Sequence, residues 1–257
     1  RIVGDAGGDT YVATAVASNT DVYKYGPNGQ LLTSIILGGG YPDDIALDPA
    51  GDVFVAGEIT SPIFPSTIPV TNPQDGFFAK FDPSGTVIYS EHMRGPTTVS
   101  GAESIASIGI NRIVADSAGD LFFTANSSPS SSAWVTANAV QPTPKGSITS
   151  SEAIVGELDP TGVTLLYGSW LGGSGDEYVT SIMLDGSGHL YVAGWTTSTD
   201  FPVTSGSYLG GMNQGFITEF NINSWTVAYS RYFGGSSTAQ IDDLVADGSG
   251  GIYVSGQ

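Results

Sequence analysis

Asp185-Gly186-Ser187-Gly188-His189-Leu190-Tyr191-Val192 reads as a tight turn running into a strand. Asp tolerates a turn and can hydrogen-bond its own backbone, Gly takes the positive-φ position, and Leu-Tyr-Val is built for a pleated sheet. On one side lies the apolar run Ile182-Met183-Leu184; on the other the strand continues through Ala193 and Gly194. The same phrase, with Asp, Gly and an aromatic at fixed offsets, recurs at Asp5 to Val12, Asp48 to Val55, Asp116 to Phe123 and Asp247 to Val254. Its glycines are Gly8, Gly51, Gly119, Gly188 and Gly250, separated by 43, 68, 69 and 62 residues. Such recurrence marks one supersecondary unit used repeatedly.

A second hairpin follows each copy. Phe77 to Phe81 enters Asp82-Pro83-Ser84-Gly85 and leaves as Thr86 to Ser90. Its counterparts are Val22 to Ser34, Ile154 to Tyr167 and Phe216 to Ser230, with turns at Gly26 to Gly29, Asp159 to Gly162 and Asn221 to Ser224. Pro at the second turn position presets φ and Gly closes the turn. Two hairpins per unit predict four antiparallel strands, the composition of a β-propeller blade. One blade cannot bury both faces; stacking on neighbours does so. The aromatic position of the phrase (Phe54, Phe122, Tyr191, Tyr253) is therefore expected to lie between blades.

The predicted architecture is all-β: one propeller domain or segment over residues 1–257, with about four blades and repeat units near 9–51, 52–119, 120–188 and 189–250. The chain starts and stops within the same phrase, so the same two strands of a blade are supplied twice. This leads to the expectation of an excerpt from a larger ring, about six to eight blades, rather than a closed four-blade ring. Between Asn126 and Ser151 lies a Ser-, Thr- and Pro-rich insertion, read as a loop between strands or as a loop reaching a partner.

Composition narrows the classes. The 36 glycines and 14 prolines among 257 residues fit short strands and tight turns, not helices. Seven Lys plus Arg against 25 Asp plus Glu give a net charge of −18, which repels nucleic-acid backbones and anionic lipid heads. Disulfides and thiolate metal sites are excluded because there is no cysteine. No apolar run reaches the roughly 18–20 residues that span a bilayer, so neither nucleic-acid binding nor membrane insertion is expected.

Tyr167-Gly168-Ser169-Trp170-Leu171-Gly172-Gly173-Ser174-Gly175-Asp176-Glu177, then Asp185 to Thr196, then Ser198-Thr199-Asp200-Phe201-Pro202 resemble the bacterial SBBP β-propeller repeat. The copy from about Val163 to Asn223 carries every element. The others depart from it: Gly38-Gly39 and Gly234-Gly235 keep the Gly-Gly step, Arg94-Gly95 keeps half, and Trp134-Val135 stands where Phe64-Pro65 keeps Phe-Pro. A weaker resemblance to NHL-type propeller repeats rests on the Asp-x-x-Gly-x-x-Tyr-Val phrase. The SBBP resemblance implies the fold, and implies a secreted or cell-surface bacterial protein.

Little chemistry stands out. His92 and His189 are the only histidines, read as surface or turn residues, and neither a nucleophile elbow nor an arginine cluster is present. The recurrent polar feature is acidic. Asp43-Asp44 and Asp242-Asp243 occupy one register ahead of the turn phrase, Asp176-Glu177 lie a few residues earlier in a third unit, and Glu103 is the nearest equivalent in another. In one reading each acid caps a strand or binds turn amides. In the other, Asp43, Asp44, Asp176, Glu177, Asp242 and Asp243 gather at one channel mouth and take Ca²⁺, with no other cofactor implied. Paired carboxylates at a suitable separation also serve glycoside hydrolysis. Among the tryptophans, Trp170 and Trp195 stand between core packing and sugar stacking.

These features point to an extracellular or cell-surface binding or structural module with protein or glycan partners. The alternatives are a carbohydrate-active enzyme of glycosidase or lyase type, against which the missing catalytic motifs weigh, and a repetitive subunit of an extracellular assembly that self-associates.

Overall fold

The computed structural model describes residues 1–66, 75–92, 109–129, 134–247 and 249–257. Eighteen strands and no helix occur among them. The first blade is β1 (Ile2–Gly4), β2 (Thr10–Val16), β3 (Asn19–Tyr25) and β4 (Leu31–Ile36). The second is β5 (Gly40–Leu47), β6 (Val53–Ile59), β7 (Gly76–Phe81) and β8 (Val87–His92). The third is β9 (Gly109–Ala115), β10 (Leu121–Ser127), β11 (Glu152–Leu158) and β12 (Leu165–Leu171). The fourth is β13 (Glu177–Leu184), β14 (His189–Thr196), β15 (Gln214–Asn221) and β16 (Thr226–Phe233). A two-stranded sheet of β17 (Ile241–Ala246) and β18 (Ile252–Gly256) follows. Spatial order equals chain order in every sheet. The chain is thus all-β and made of four-stranded antiparallel blades of the propeller type.

Two compact units divide the chain: Arg1–Phe122 with Glu157–Leu165, and Phe123–Gly156 with Leu166–Gln257, the boundary passing through the third blade.

The turn phrase does what its chemistry predicts. Asp5 Oδ1 accepts from Gly7 N and Asp9 N at 2.9 Å, and Asp116 Oδ1 accepts from Ala118 N and Asp120 N at 2.9 and 3.0 Å. Asp185 and Asp247 repeat the pattern toward Ser187 and His189, and toward Ser249 and Gly251. The glycine three residues after each Asp has φ between 84° and 96°, a region costly for any side chain with a Cβ. At the last of the second hairpins, Trp225 itself takes positive φ (47°) and stacks on Tyr167 with ring centroids 3.5 Å apart. The sequence predicts only a turn there; the stack offsets a backbone cost of about 1–2 kcal/mol.

The aromatic position is core, with one exception. Tyr11, Phe54, Phe122 and Tyr191 are buried, whereas Tyr253 is 67% exposed because no described residue covers that face of the β17–β18 sheet. In unit one, Tyr11, Val22, Val53, Val55, Phe77 and Phe81 belong to one cluster; in unit two, Tyr191, Ala193, Ile217, Ile241 and Leu244 form another. Innermost strands carry a bulge after their third or fourth residue (Pro42/Asp44, Val179/Ser181). Opposite these bulges stand Gly57 and Gly194, where a Cβ would run into Tyr41 O and Tyr178 O.

Candidate functional site

The sequence-predicted acids separate into two kinds of environment. Asp44 lies on β5 just past the bulge, and its Oδ2 accepts the backbone N–H of Ile113 on β9 at 3.0 Å. Burial raises its pKa, and the Ile113 N–H and the Arg112 and Arg1 charges pull it back. Asp43, its neighbour, is exposed, with Arg1 Nε donating to its backbone carbonyl at 2.9 Å. Asp243 holds the register of Asp44 in unit two. Its Oδ1 accepts from Ser181 Oγ at 2.8 Å, while Ser181 Oγ also accepts from Leu244 N at 3.2 Å. Exposed Asp242 accepts from Gln240 Nε2 at 2.7 Å. Asp44 and Asp243 therefore fasten one innermost strand to the next. Glu103 lies outside the described residues.

Asp176 and Glu177 belong to another place, the loop end of the fourth blade. Asp176 Oδ1 accepts from Ser151 N at 2.9 Å and its own N–H donates to Thr197 Oγ1 at 2.8 Å. Glu177 is fully buried, and its Oε1 accepts from Thr196 Oγ1 at 2.7 Å and Ser198 Oγ at 2.5 Å. Burial drives the Glu177 pKa up to about 7; the two hydroxyls oppose this, and the Glu152 charge adds to the rise. Asp200 completes the loop, accepting from Ser174 N at 2.8 Å and Ser174 Oγ at 2.9 Å. Among the described residues, no group of three or more His, Cys, Asp and Glu is arranged to hold a metal.

Two residues escaped the sequence, and so did the partner of Trp195. Glu152, the first residue of β11, is fully buried, and its Oε1 accepts from Lys145 N at 2.7 Å and from Gly146 N. His92, expected at the surface, is buried on β8, with Ser66 Oγ 2.9 Å from Nδ1 and Asp75 Oδ2 4.0 Å from Nε2. Ser66 also donates to Glu91 at 3.3 Å, and the Asp75 separation exceeds a hydrogen bond, so this trio ties a loop to β8. Thirdly, Tyr178 and Trp195 sit opposite each other on β13 and β14 and stack with ring centroids 4.4 Å apart and 25° between planes. Tyr178 is 41% exposed and Trp195 partly so, whereas Trp170 is 1% exposed and belongs to the core.

Within the insertion, Thr136 to Gln141 are held against their own blade. Thr136 N donates to Gly168 O at 3.0 Å, Val140 N to Tyr167 Oη at 3.2 Å, and Gln141 Oε1 accepts from Gly172 N at 3.1 Å.

With the fourth blade's loop end in view, the comparison with known families is specific. Residues 167–202 match the model of a β-propeller repeat called SBBP. The chain carries the SBBP repeat. The match spans β12, the Gly172–Asp176 loop, β13, β14 and the Ser198–Phe201 segment, so Glu177, Trp195, Ser198 and Asp200 all lie within an SBBP repeat. Among solved structures, a Bacteroides caccae protein of unknown function is similar over 98% of this chain and 68% of its own, at 14% identity and TM-score 0.53. The Dos1 propeller is similar over 97% of this chain and 50% of its own, at 12% identity and TM-score 0.51. The chain thus spans about two thirds and one half of their lengths, and the likeness is one of fold. No curated protein sequence matches. Among the described residues no helix is long and apolar enough to cross a membrane.

Proposed function

We propose that the SBBP-repeat chain is an extracellular or surface-displayed binding module, and that its partner is a glycan or a glycan-bearing protein contacted through Tyr178 and Trp195. The stacked, solvent-facing pair is the observation that carries this reading. Most large aromatics of the blades are buried, whereas this pair offers a flat apolar face at the edge of a polar loop. Such a surface suits the C–H face of a sugar ring, with hydroxyls and carboxylates nearby for its polar rim. The loop behind it is braced by Ser151, Thr196, Thr197 and Ser198, so little ordering cost remains on binding.

Glu177 has the neutral-range pKa expected of a glycosidase acid, but full burial closes it to a sugar, which weighs against the hydrolase alternative. The test is a glycan array read by fluorescence, followed by titration of the best ligand against tryptophan emission. Binding without sugar release, weakened at least about tenfold in Y178A/W195A, is the expected result. Released sugar, or unchanged affinity in that variant, would overturn the reading.

A further inference from the structure

In each blade a polar side chain stands at the head of the third strand, and in three of the four it is either uncharged or faces an imidazole. Asn19 Oδ1 accepts from Gly39 N at 3.2 Å. Asp75 faces the His92 ring. Gln214, uncharged, donates through Nε2 to the carbonyls of Gly210, Gly235 and Ser237 at 2.8, 2.7 and 3.3 Å. At the fourth such position, Glu152, no ion pair forms among the described residues, and the Lys145 charge acts on it only from beyond ion-pair reach. A second carboxylate, Glu177, comes in beside it instead.

Both side chains have zero exposure. They flank Gly172: Glu177 Oε2 occupies the space that a Cβ on Gly172 would need, and Glu152 Cγ lies 3.4 Å from that point. Oε1 of each accepts two hydrogen bonds, whereas Oε2 of each is buried with none. Gly173 N–H pulls on Glu177, outside hydrogen-bond geometry. Gln141 Nε2 is likewise buried without a partner, although Gln141 Oε1 is fixed on Gly172 N. No Lys, Arg or His forms an ion pair with either carboxylate among the described residues.

Two buried anions side by side repel, and each has lost its hydration. A lone water would satisfy hydrogen bonds and leave the charge. A divalent cation answers the charge on both Oε2 atoms at once, with water filling the rest of its shell. The donors are oxygen only, which selects a hard cation, and carboxylates on separate strands suit the looser shell of Ca²⁺ over the strict octahedron of Mg²⁺. We propose that Glu152 and Glu177 hold one Ca²⁺ ion beside Gly172, clamping β11 to β13. This centre is separate from the innermost-strand acids Asp43, Asp44, Asp242 and Asp243, whose side chains bond to neighbouring strands or face solvent.

The experiment is thermal melting of the whole chain after chelation, with Ca²⁺ or Mg²⁺ added back, alongside Tb³⁺ luminescence excited through tryptophan, for which Trp170 is two residues from Gly172. Saturating Ca²⁺ is expected to raise Tm by about 5–10 °C at a hundred times Kd, with EDTA reversing it and Mg²⁺ doing less. E152Q/E177Q should lose both the shift and the Tb³⁺ signal, and D242N/D243N should keep both. An unmoved wild-type Tm with no Tb³⁺ signal would overturn the site. So would a Ca²⁺ shift that survives in E152Q/E177Q, since the ion would then sit elsewhere on this acidic surface. Stability that follows pH alone, indifferent to Ca²⁺, would replace the metal by a shared proton. Should E152Q/E177Q fail to fold, the wild-type Tb³⁺ signal and its displacement by Ca²⁺ still decide.

Discussion

The second and fourth blades solve one problem with opposite charges. In the second, Lys80 on β7 pairs across the sheet with Phe54, its Nζ 4.7 Å from the ring centroid, and meets Asp52 at 3.0 Å and Asp48 at 3.6 Å. In the fourth, the equivalent of Lys80 is Glu219, paired across the sheet with Tyr191, and the equivalent of Asp52 is His189. His189 Nδ1 lies 2.8 Å from Asp185, the counterpart of Asp48. Cation over Phe with acid at the turn has become acid beside Tyr with imidazole at the turn. The first blade, with Lys24 over Tyr11 and 2.9 Å from Asp9, follows the second. Between these two blades the polar position and its turn partner change sign together, as expected where an uncompensated buried charge costs more than the pair contributes; the third blade, with Glu157 and Asp120 at these positions, follows neither set.

The contrast can be broken most severely at Lys80, which is 6% exposed. K80E would place three carboxylates together, and urea unfolding should show a loss of about 3–5 kcal/mol. Glu177 sharpens it next, as half of the unmatched pair. Its folded pKa, about 7, lies above the ordinary 4.5, so the native state holds a proton that the unfolded chain has released. In chelated protein, stability should therefore fall as pH rises from about 4.5 to about 7, by up to about 3 kcal/mol, and E177Q should flatten that slope. A wild-type slope equal to that of E177Q would contradict the assignment. E219Q, on a half-buried side chain, should cost no more than about 1 kcal/mol by the same unfolding assay.

The smallest effect belongs to His189. Its hydrogen bond to Asp185 raises its pKa above 6.5, so its stabilisation is complete below the unfolded value and disappears as pH rises through the folded one. H189Q should remove only this shallow dependence, visible as a difference in Tm between weakly acid and weakly alkaline buffer.

Blades were legible in the sequence because turns are local: Asp and Gly at fixed offsets dictate the hairpin wherever they fall, and the strands on either side alternate visibly. Asp44 and Asp243 each follow a register shift on the innermost strand of their sheet. What they bind was not legible, since Ile113 N and Ser181 Oγ come from separate strands, 69 and 62 residues away. Glu152 is not legible because an isolated Glu after a Ser-Thr-rich loop looks solvated until Lys145 and Gly146 close on it. His92 is illegible for a similar reason, its burial depending on Ser66 and Asp75 from another part of the blade. Trp225 carried no signal, because nothing in Asn-Ser-Trp-Thr announces positive φ.

Matched exchange is tested most directly by moving the fourth blade's set into the second. The variant D52H/F54Y/K80E should recover most of the stability lost in K80E and melt within a few degrees of wild type below neutral pH, where the introduced imidazole is charged. A triple variant as unstable as K80E alone would contradict the claim that these positions are matched as a set.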